Sequence, residues 1–289
     1  MEGKIFIVIT VLNRKILTNN CLISIFNQTY KNFVVIVVDH GSTDGTCELI
    51  KTNFPEVLIV NGTSNLWWAG ATNLGIKRAL LMAQNDDLIL TLNNDLELND
   101  NYLQEMIDLH IQFHHALIGS VSVDINQPEK VLFAGVKWNS VSAKYKPSIT
   151  PNKSFTQLKK CYPYISSDLL PGRGTLIPVQ AFSKIGFFDE DNFPHYSADE
   201  DFSLRCKKSG YKLIVATACV KSHIGSTGLN SNKRLSGKLF IKSLASIKSP
   251  NNAIIRWHWA KKHTKMPVLY FSFDMGRIFL SYLRSLSRN

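Results

Sequence analysis

Two apolar runs in this chain stop at acidic loops, and residue types that could do chemistry gather there. FVVIVV at 33–38 ends in Asp39-His40-Gly41-Ser42-Thr43-Asp44, and LILTL at 88–92 ends in Asn93-Asn94-Asp95. An aspartate at a strand end can hold a divalent cation that bridges to diphosphate oxygens. Mg²⁺ or Mn²⁺ suits such a place, because hard cations take oxygen ligands and use one or two carboxylates plus the substrate's phosphates. Asp95 after two asparagines is equally the pattern of a turn or a helix cap. Further on, Asp199-Glu200-Asp201 sets three carboxylates ahead of Phe202-Ser203-Leu204-Arg205. They can complement the dipole of a helix starting there, or Asp199 and Asp201 can form a metal pair. His223 follows a strand-like run, and alone it is either a ligand or a structural histidine. The glycine loops that cradle dinucleotides and triphosphates are missing: Gly172-Arg173-Gly174 runs into Thr-Leu-Ile, and no P-loop sequence occurs.

Positioning these groups calls for an open sheet. Ile5–Val11 is a β-branched apolar run followed by Asn13-Arg14 and a helical stretch at 16–27, with Leu17, Cys21, Leu22, Ile25 and Phe26 at helical spacing. The run at 33–38 is too uniformly apolar to have a wet face and reads as a central parallel strand covered on both sides. Residues 57–60 and 88–92 add two more strands. Strands alternating with helices give a mostly parallel sheet flanked by helices, an α/β fold whose ligands sit beyond the carboxyl ends of the strands. The loops at 39–43 and 93–95 then converge on one crevice.

The composition of the 289 residues, 45% apolar and 19% charged, is that of a folded protein. MEGKIFIVIT reads as a first buried strand and not as a signal peptide, and no apolar run reaches the ~20 residues of a spanning helix. Five scattered cysteines without a C-x-x-C pair fit neither a disulfide framework nor a zinc site, and a reducing cytosol is the expected compartment. The net charge of +11 is uneven: residues 231–289 hold 12 of the 33 Lys and Arg but one of the 22 Asp and Glu. This divides the chain into a neutral part, 1–230, and a basic, aromatic-rich helical extension, 231–289. In that extension positions 270, 274, 277, 281, 284 and 288 hold Tyr, Asp, Arg, Ser, Arg and Arg, a polar helix face, with Leu269, Phe273, Phe279, Leu280 and Leu283 between them. Such a helix can lie in a lipid headgroup layer or pack its apolar stripe on the main domain. Cations set beside tryptophans favour an anionic membrane surface over nucleic acid as the partner.

Taken together, Gln28-Thr29, the loop 38–46, Asn65-Leu66-Trp67-Trp68-Ala69-Gly70-Ala71-Thr72-Asn73-Leu74-Gly75-Ile76, Leu92-Asn93-Asn94-Asp95 and the block from Pro171 to Tyr211 resemble the inverting family 2 glycosyltransferases with the GT-A fold. Within that family the chain is similar to bacterial rhamnosyltransferase-like and galactofuranosyltransferase-like members that build surface polysaccharide. The resemblance covers about residues 4 to 228. It implies an enzyme moving a sugar from a UDP- or dTDP-sugar to a glycan or lipid-linked acceptor, at the cytoplasmic face of the cell membrane. By the same resemblance Thr10, Arg14, Asp39 and Asn94 line the nucleotide pocket. Asp95, last of the D-x-D triplet, holds the metal with His223. Trp67, Trp68, Asn73, Arg173, Gly174, Glu200 and Asp201 face donor or acceptor, and Asp199 is the catalytic base. Asn93 departs from the pattern, in which a carboxylate opens the triplet, and so does Ala198, where relatives have Glu. A nucleotidyltransferase, or a membrane-associated binding protein that has lost its chemistry, would share parts of this pattern.

Overall fold

The computed structural model describes residues 3–149, 153–223 and 236–287. The first half alternates strictly: β1 (Ile5–Val11), α1 (Lys15–Phe26), β2 (Phe33–Asp39), α2 (Thr46–Asn53), β3 (Leu58–Asn61), α3 (Trp67–Leu80) and β4 (Leu88–Asn93). A short β5 (Leu96–Leu98), α4 (Tyr102–Gln112), β6 (Ala116–Asp124), β7 (Gln127–Phe133), and a hairpin of β8 (Val136–Trp138) and β9 (Tyr145–Pro147) follow. Then come α5 (Phe155–Cys161), β10 (Tyr164–Ser166), β11 (Thr175–Pro178), α6 (Val179–Ile185), α7 (Ala198–Lys208) and β12 (Lys212–Ser222). Three helices end the described chain: α8 (Gly237–Ala245), α9 (Ala253–His263) and α10 (Pro267–Ser287).

The main sheet runs β10-β12-β6-β11-β4-β1-β2-β3, with β5 on β12 and β7 on β6. Most of its paired residues lie in parallel ladders, and β11 enters antiparallel between β4 and β6. The uniform apolar runs are explained by burial on both faces. Leu22, Ile25, Leu103 and Met106 pack with Ile7 and Ile9 on one side, and Ile76, Phe182, Phe202 and Trp259 pack with Phe6 and Val8 on the other. Each such side chain contributes about 1.5–3 kcal/mol by leaving water.

Register places the loops. Val11 pairs with Asp39 and Thr10 with Asn93, so the carboxyl ends of β1, β2 and β4 form one row. The Gly174 N–H donates to the Thr91 carbonyl (2.8 Å), which brings Arg173 to the same end. On β12, Ser222 pairs with Leu96 of β5, the residue after Asp95, and His223 follows Ser222.

The boundary at 230/231 lies outside the described residues, but α9 and α10 are built into the body. Trp259 and Tyr270 are buried members of the core, Trp259 packs edge-on against Trp138, and the Trp138 indole N–H donates to Tyr270 Oη (3.0 Å). Helix α10 corrects one expectation. Its polar positions Tyr270 and Asp274 face inward, where Arg256 and Arg277 pair with Asp274. Leu269, Phe273, Leu280 and Leu283 point outward. Among the described residues no helix is long and apolar enough to cross a membrane.

Candidate active site

The row of strand ends opens onto a cavity of ≈ 480 Å³, within the ~300–1,000 Å³ range of small-molecule sites. Thr10, Arg14, His40, Trp67, Trp68 and the triplet Asn93 to Asp95 line it from the first half of the chain. Gly172, Arg173, His195, Tyr196, Ser197, Asp199 and Lys248 close it from the second.

Its rim is conformationally strained. Arg14, Trp67 and Ser197 have φ of 68°, 51° and 68°, and Asn13 beside them has 61°. Left-handed backbone costs a non-glycine residue ~1–3 kcal/mol and persists only where neighbours enforce it. Here the Asn13 N–H donates to Ser42 Oγ (2.7 Å) and Asn13 Oδ1 accepts from the Thr43 N–H (2.9 Å), tying the β1 and β2 loops together.

The triplet divides its labour. Asn93 Oδ1 accepts from the Trp68 indole N–H (3.1 Å), so an amide here orients a tryptophan. Asn94 donates to Thr18 Oγ1 (2.9 Å) and anchors the loop on α1. Asp95 Oδ2 pairs with Arg14 Nη1 at 2.9 Å, while Asp95 Oδ1 is buried with no partner. A hard cation fits the orphaned carboxylate oxygen of Asp95, and His223 follows Ser222, the residue paired with Leu96. No cluster of three His, Cys, Asp or Glu side chains that could hold a metal exists among the described residues, so a cation here would complete its shell with substrate oxygens and water.

Asp199, at the start of α7, lines the same cavity. The Gly172 N–H donates to its Oδ2 (2.7 Å) and the Glu200 N–H to its Oδ1 (2.9 Å). Burial pushes its pKa up despite these donors and Arg173. Arg173 Nη1, His40 Nδ1 and His195 Nδ1 are further buried atoms without partners on residues that line this cavity. Burial lowers the pKa of both histidines; at His195 the nearby Lys248 adds to the effect. Both rings are therefore neutral at pH 7.

Several expected residues stand off the cavity. Asp39 accepts the N–H groups of Gly41 (3.0 Å) and Ser42 (2.8 Å) and the thiol of Cys47 (2.6 Å), shaping the loop that carries His40 inward. Burial opposes its charge, yet these donors hold its pKa below the usual range. Asn73 exchanges hydrogen bonds with the Phe188 backbone (2.9 and 3.0 Å) and pins the segment that ends in His195 to Ser197 onto α3. Gly174, at φ +78°, packs against Ser120 and Tyr102 beneath the site. Asp201 is buried among Arg205 (2.9 Å), Lys262 (2.8 Å) and His263 (2.8 Å), and Glu200 stands in the electrostatic field of Arg256 and Asp274. The polar groups of Asn73 and Asp201 and the space around Gly174 are thus engaged within the fold. His195, Tyr196 and Lys248 escaped notice, since nothing local marks them. Gly172 had a signal in the Pro171-Gly172-Arg173-Gly174 turn.

The mostly parallel sheet with acidic loops at its strand ends is shared with known proteins. Residues 6–186 match Glycosyl transferase family 2, and the chain belongs to that family. It is similar to an uncharacterized glycosyltransferase of Rickettsia bellii, 36% identical over 109 residues, which are 36% of this chain and 16% of that protein. It is also similar to an N-acetylglucosaminyl-diphospho-decaprenol L-rhamnosyltransferase of Mycobacterium tuberculosis, 26% identical over 225 residues and 70% of each chain. The crystal structure of GalNAc-T7 with UDP, GalNAc and Mn²⁺ superposes with a TM-score of 0.62 at 13% identity, over 99% of this chain and 57% of that one. The fold is that of the GT-A glycosyltransferases. The chain therefore spans a minor part of its Rickettsia relative and just over half of GalNAc-T7.

Proposed function

We propose that the chain transfers a sugar, with inversion, from a nucleoside-diphosphate sugar to a hydroxyl of a glycan or lipid-linked glycan. The observation that carries this reading is the cavity that Asp95 and Asp199 both line, where four buried polar atoms, on His40, Asp95, Arg173 and His195, have no partner. Buried polar groups are normally satisfied, so an unsatisfied set around one cavity supports a polar ligand.

The acceptor's O–H gives its proton to Asp199, which burial makes more basic than an ordinary carboxylate. The oxygen bonds the anomeric carbon from the face opposite the leaving group, and the carbon–oxygen bond to the diphosphate breaks with its electron pair going to the diphosphate. Arg173 and Arg14 line the cavity where that charge develops. Trp67 and Trp68 supply stacking faces, and Thr10 and Asn94 line the nucleotide end with His40, whose loop Asp39 holds. Asp95 and His223 would hold Mg²⁺ or Mn²⁺, which supplies Lewis-acid neutralisation of the diphosphate when bound. UDP- or dTDP-sugars are the expected donors, and the setting is bacterial surface polysaccharide synthesis. The GT-A unit would span 1–230, with the extension 231–289 holding it peripherally to the anionic inner face of the cell membrane, in the cytoplasm.

Asp199→Asn tests the base. Transfer should fall by ~10²–10⁴ while nucleotide binding, read by thermal shift, persists. Transfer at the parental rate would remove the assignment.

A further inference from the structure

A second and larger cavity, ≈ 770 Å³, lies between α10, α9, Phe240 of α8 and the β8–β9 hairpin. Five cations line it, Lys144, Lys146, Arg256, Arg277 and Arg284, against the single carboxylate Asp274. Asp274 is engaged on both oxygens, by Arg256 (2.6 Å) and Arg277 (3.0 Å). Lys144, Lys146 and Arg284 are exposed, and no carboxylate among the described residues pairs with them. The cavity therefore keeps three uncompensated positive charges, held around the fixed aromatic faces of Phe240 and Tyr282, which stack at 4.1 Å.

Beside it runs the outward stripe of α10. Leu269, Phe273, Leu280 and Leu283 are 38%, 48%, 52% and 42% exposed, and Leu280 also lines the cavity, so apolar stripe and cationic hollow are continuous. Contiguous apolar surface of this kind marks an interaction site. Its partner must be anionic at one end and apolar along its length. The hollow is also next to the chemistry. Asp199 lines the first cavity, and Glu200, the next residue, stands in the field of Arg256, Asp274 and Tyr145, which line the second.

We propose that this hollow seats the diphosphate of a lipid-linked acceptor, with the lipid chain lying along the α10 stripe. The proposal rests on the transferase reading and names where its acceptor is gripped. Lys144, Lys146 and Arg284 take the phosphate oxygens as point charges and a guanidinium fork. The acceptor's sugar end then passes Glu200 to reach Asp199. The stripe enters the outer lipid layer without spanning it.

The test is co-sedimentation of the full chain with phosphatidylcholine vesicles, plain, doped with a polyprenyl diphosphate, or doped with phosphatidylglycerol. Binding should be strongest to the diphosphate vesicles. Lys144→Ala/Lys146→Ala/Arg284→Ala should weaken it on the order of a hundredfold, given the attraction of each cation near an anionic headgroup. Phe273→Ser/Leu283→Ser should weaken vesicle binding but leave binding of inorganic pyrophosphate intact. Both variants should keep the parent's nucleotide-induced thermal shift, which reports that they fold and that the first cavity is sound. Equal binding to both doped vesicles, a triple variant that binds like the parent, or pyrophosphate binding without vesicle binding would each overturn the proposal. Diphosphate-specific vesicle binding by a chain that transfers no sugar would leave this seat standing and sink the transferase reading instead.

Discussion

At the scale of single residues, Asp199 and Glu200 divide one local charge. Burial raises both, and with the negative charge of Asp199 added it brings Glu200 to about 8. On the proposed mechanism transfer needs Asp199 ionised, and a raised pKa delays that, so kcat/KM should climb with pH through an acid limb set by Asp199. It should bend again near pH 8, where Glu200 ionises beside it. Glu200→Gln should erase the second bend and keep the first; a bend that survived the substitution would detach it from Glu200. Gly172 makes a different demand. A Cβ there would penetrate the Trp68 ring and touch Asp199 Cβ at 3.4 Å, so Gly172→Ala must displace one wall of the cavity or the other. Because Asp199 depends on the Gly172 N–H, we expect kcat to fall by one to two orders of magnitude, on the scale of ~1.4 kcal/mol per tenfold, with far-UV circular dichroism unchanged. Parental kcat would mean the turn relaxes without moving either group. Asn93 shows how a departure from a family pattern is read correctly only in space: its amide oxygen orients Trp68, a partner 25 residues away that no local spacing announces.

At the scale of elements, α7 is held by charge as much as by packing. Asp201 is fully buried and meets Arg205 on its own helix and Lys262 and His263 on α9. His263 Nε2 lies 2.8 Å from Asp201, while its Nδ1 faces the Lys208 ammonium at 3.2 Å. The ammonium can only donate, so the ring is neutral and donates to Asp201; burial lowers its pKa to match. Burial opposes the Asp201 charge, but His263, Arg205 and Lys262 more than offset it and hold the carboxyl below its usual range. A depressed carboxyl stabilises above the ordinary value near ~4 and ceases to do so as pH falls through the depressed one. Asp201→Asn should thus cost about 3 kcal/mol at pH 7, where it strands partly buried cations, and less in acid. Denaturant unfolding at the two pH values measures the difference, and an equal cost at both would show that packing, not charge, sets it. The strands of the first half were legible because unbroken apolar runs have one solution, burial on both faces. Helix α10 was legible as a two-faced helix but not in orientation. Periodicity reports that two faces exist, whereas the inward one was chosen by Arg256 and Trp138, which meet Asp274 and Tyr270 only in the folded chain. The same limit hid Lys248, whose ammonium lies 5.8 Å from the Trp67 ring and which lines the first cavity from a segment where sequence showed only charge.

For the whole molecule, the uneven charge divides the chain into two electrostatic parts, but the core does not follow that division. Ile255, Trp259, Ala260 and Tyr270 share one buried cluster with Phe193, Phe202 and Ile177 of the α/β body. Removing the described residues 236–287 would therefore open the core, leave Asp201 without Lys262 and His263, and take Lys248 from the first cavity. Truncating one buried tryptophan typically costs ~3–5 kcal/mol, and a folded domain has only ~5–15 kcal/mol in all. Losing four core side chains, the Lys262 counter-ion and the His263 hydrogen bond together exceeds what the remainder can bear. A chain ending at residue 235 should accordingly lose cooperative unfolding and near-ultraviolet dichroism, and the intact chain should unfold in one transition seen alike by fluorescence and by far-ultraviolet dichroism. A truncated chain that melted cooperatively at the parent's Tm would make the extension a separable module. If it is inseparable, whatever seats on α10 shares a rigid frame with Asp199, and docking and catalysis are coupled through the packing of α7 against α9.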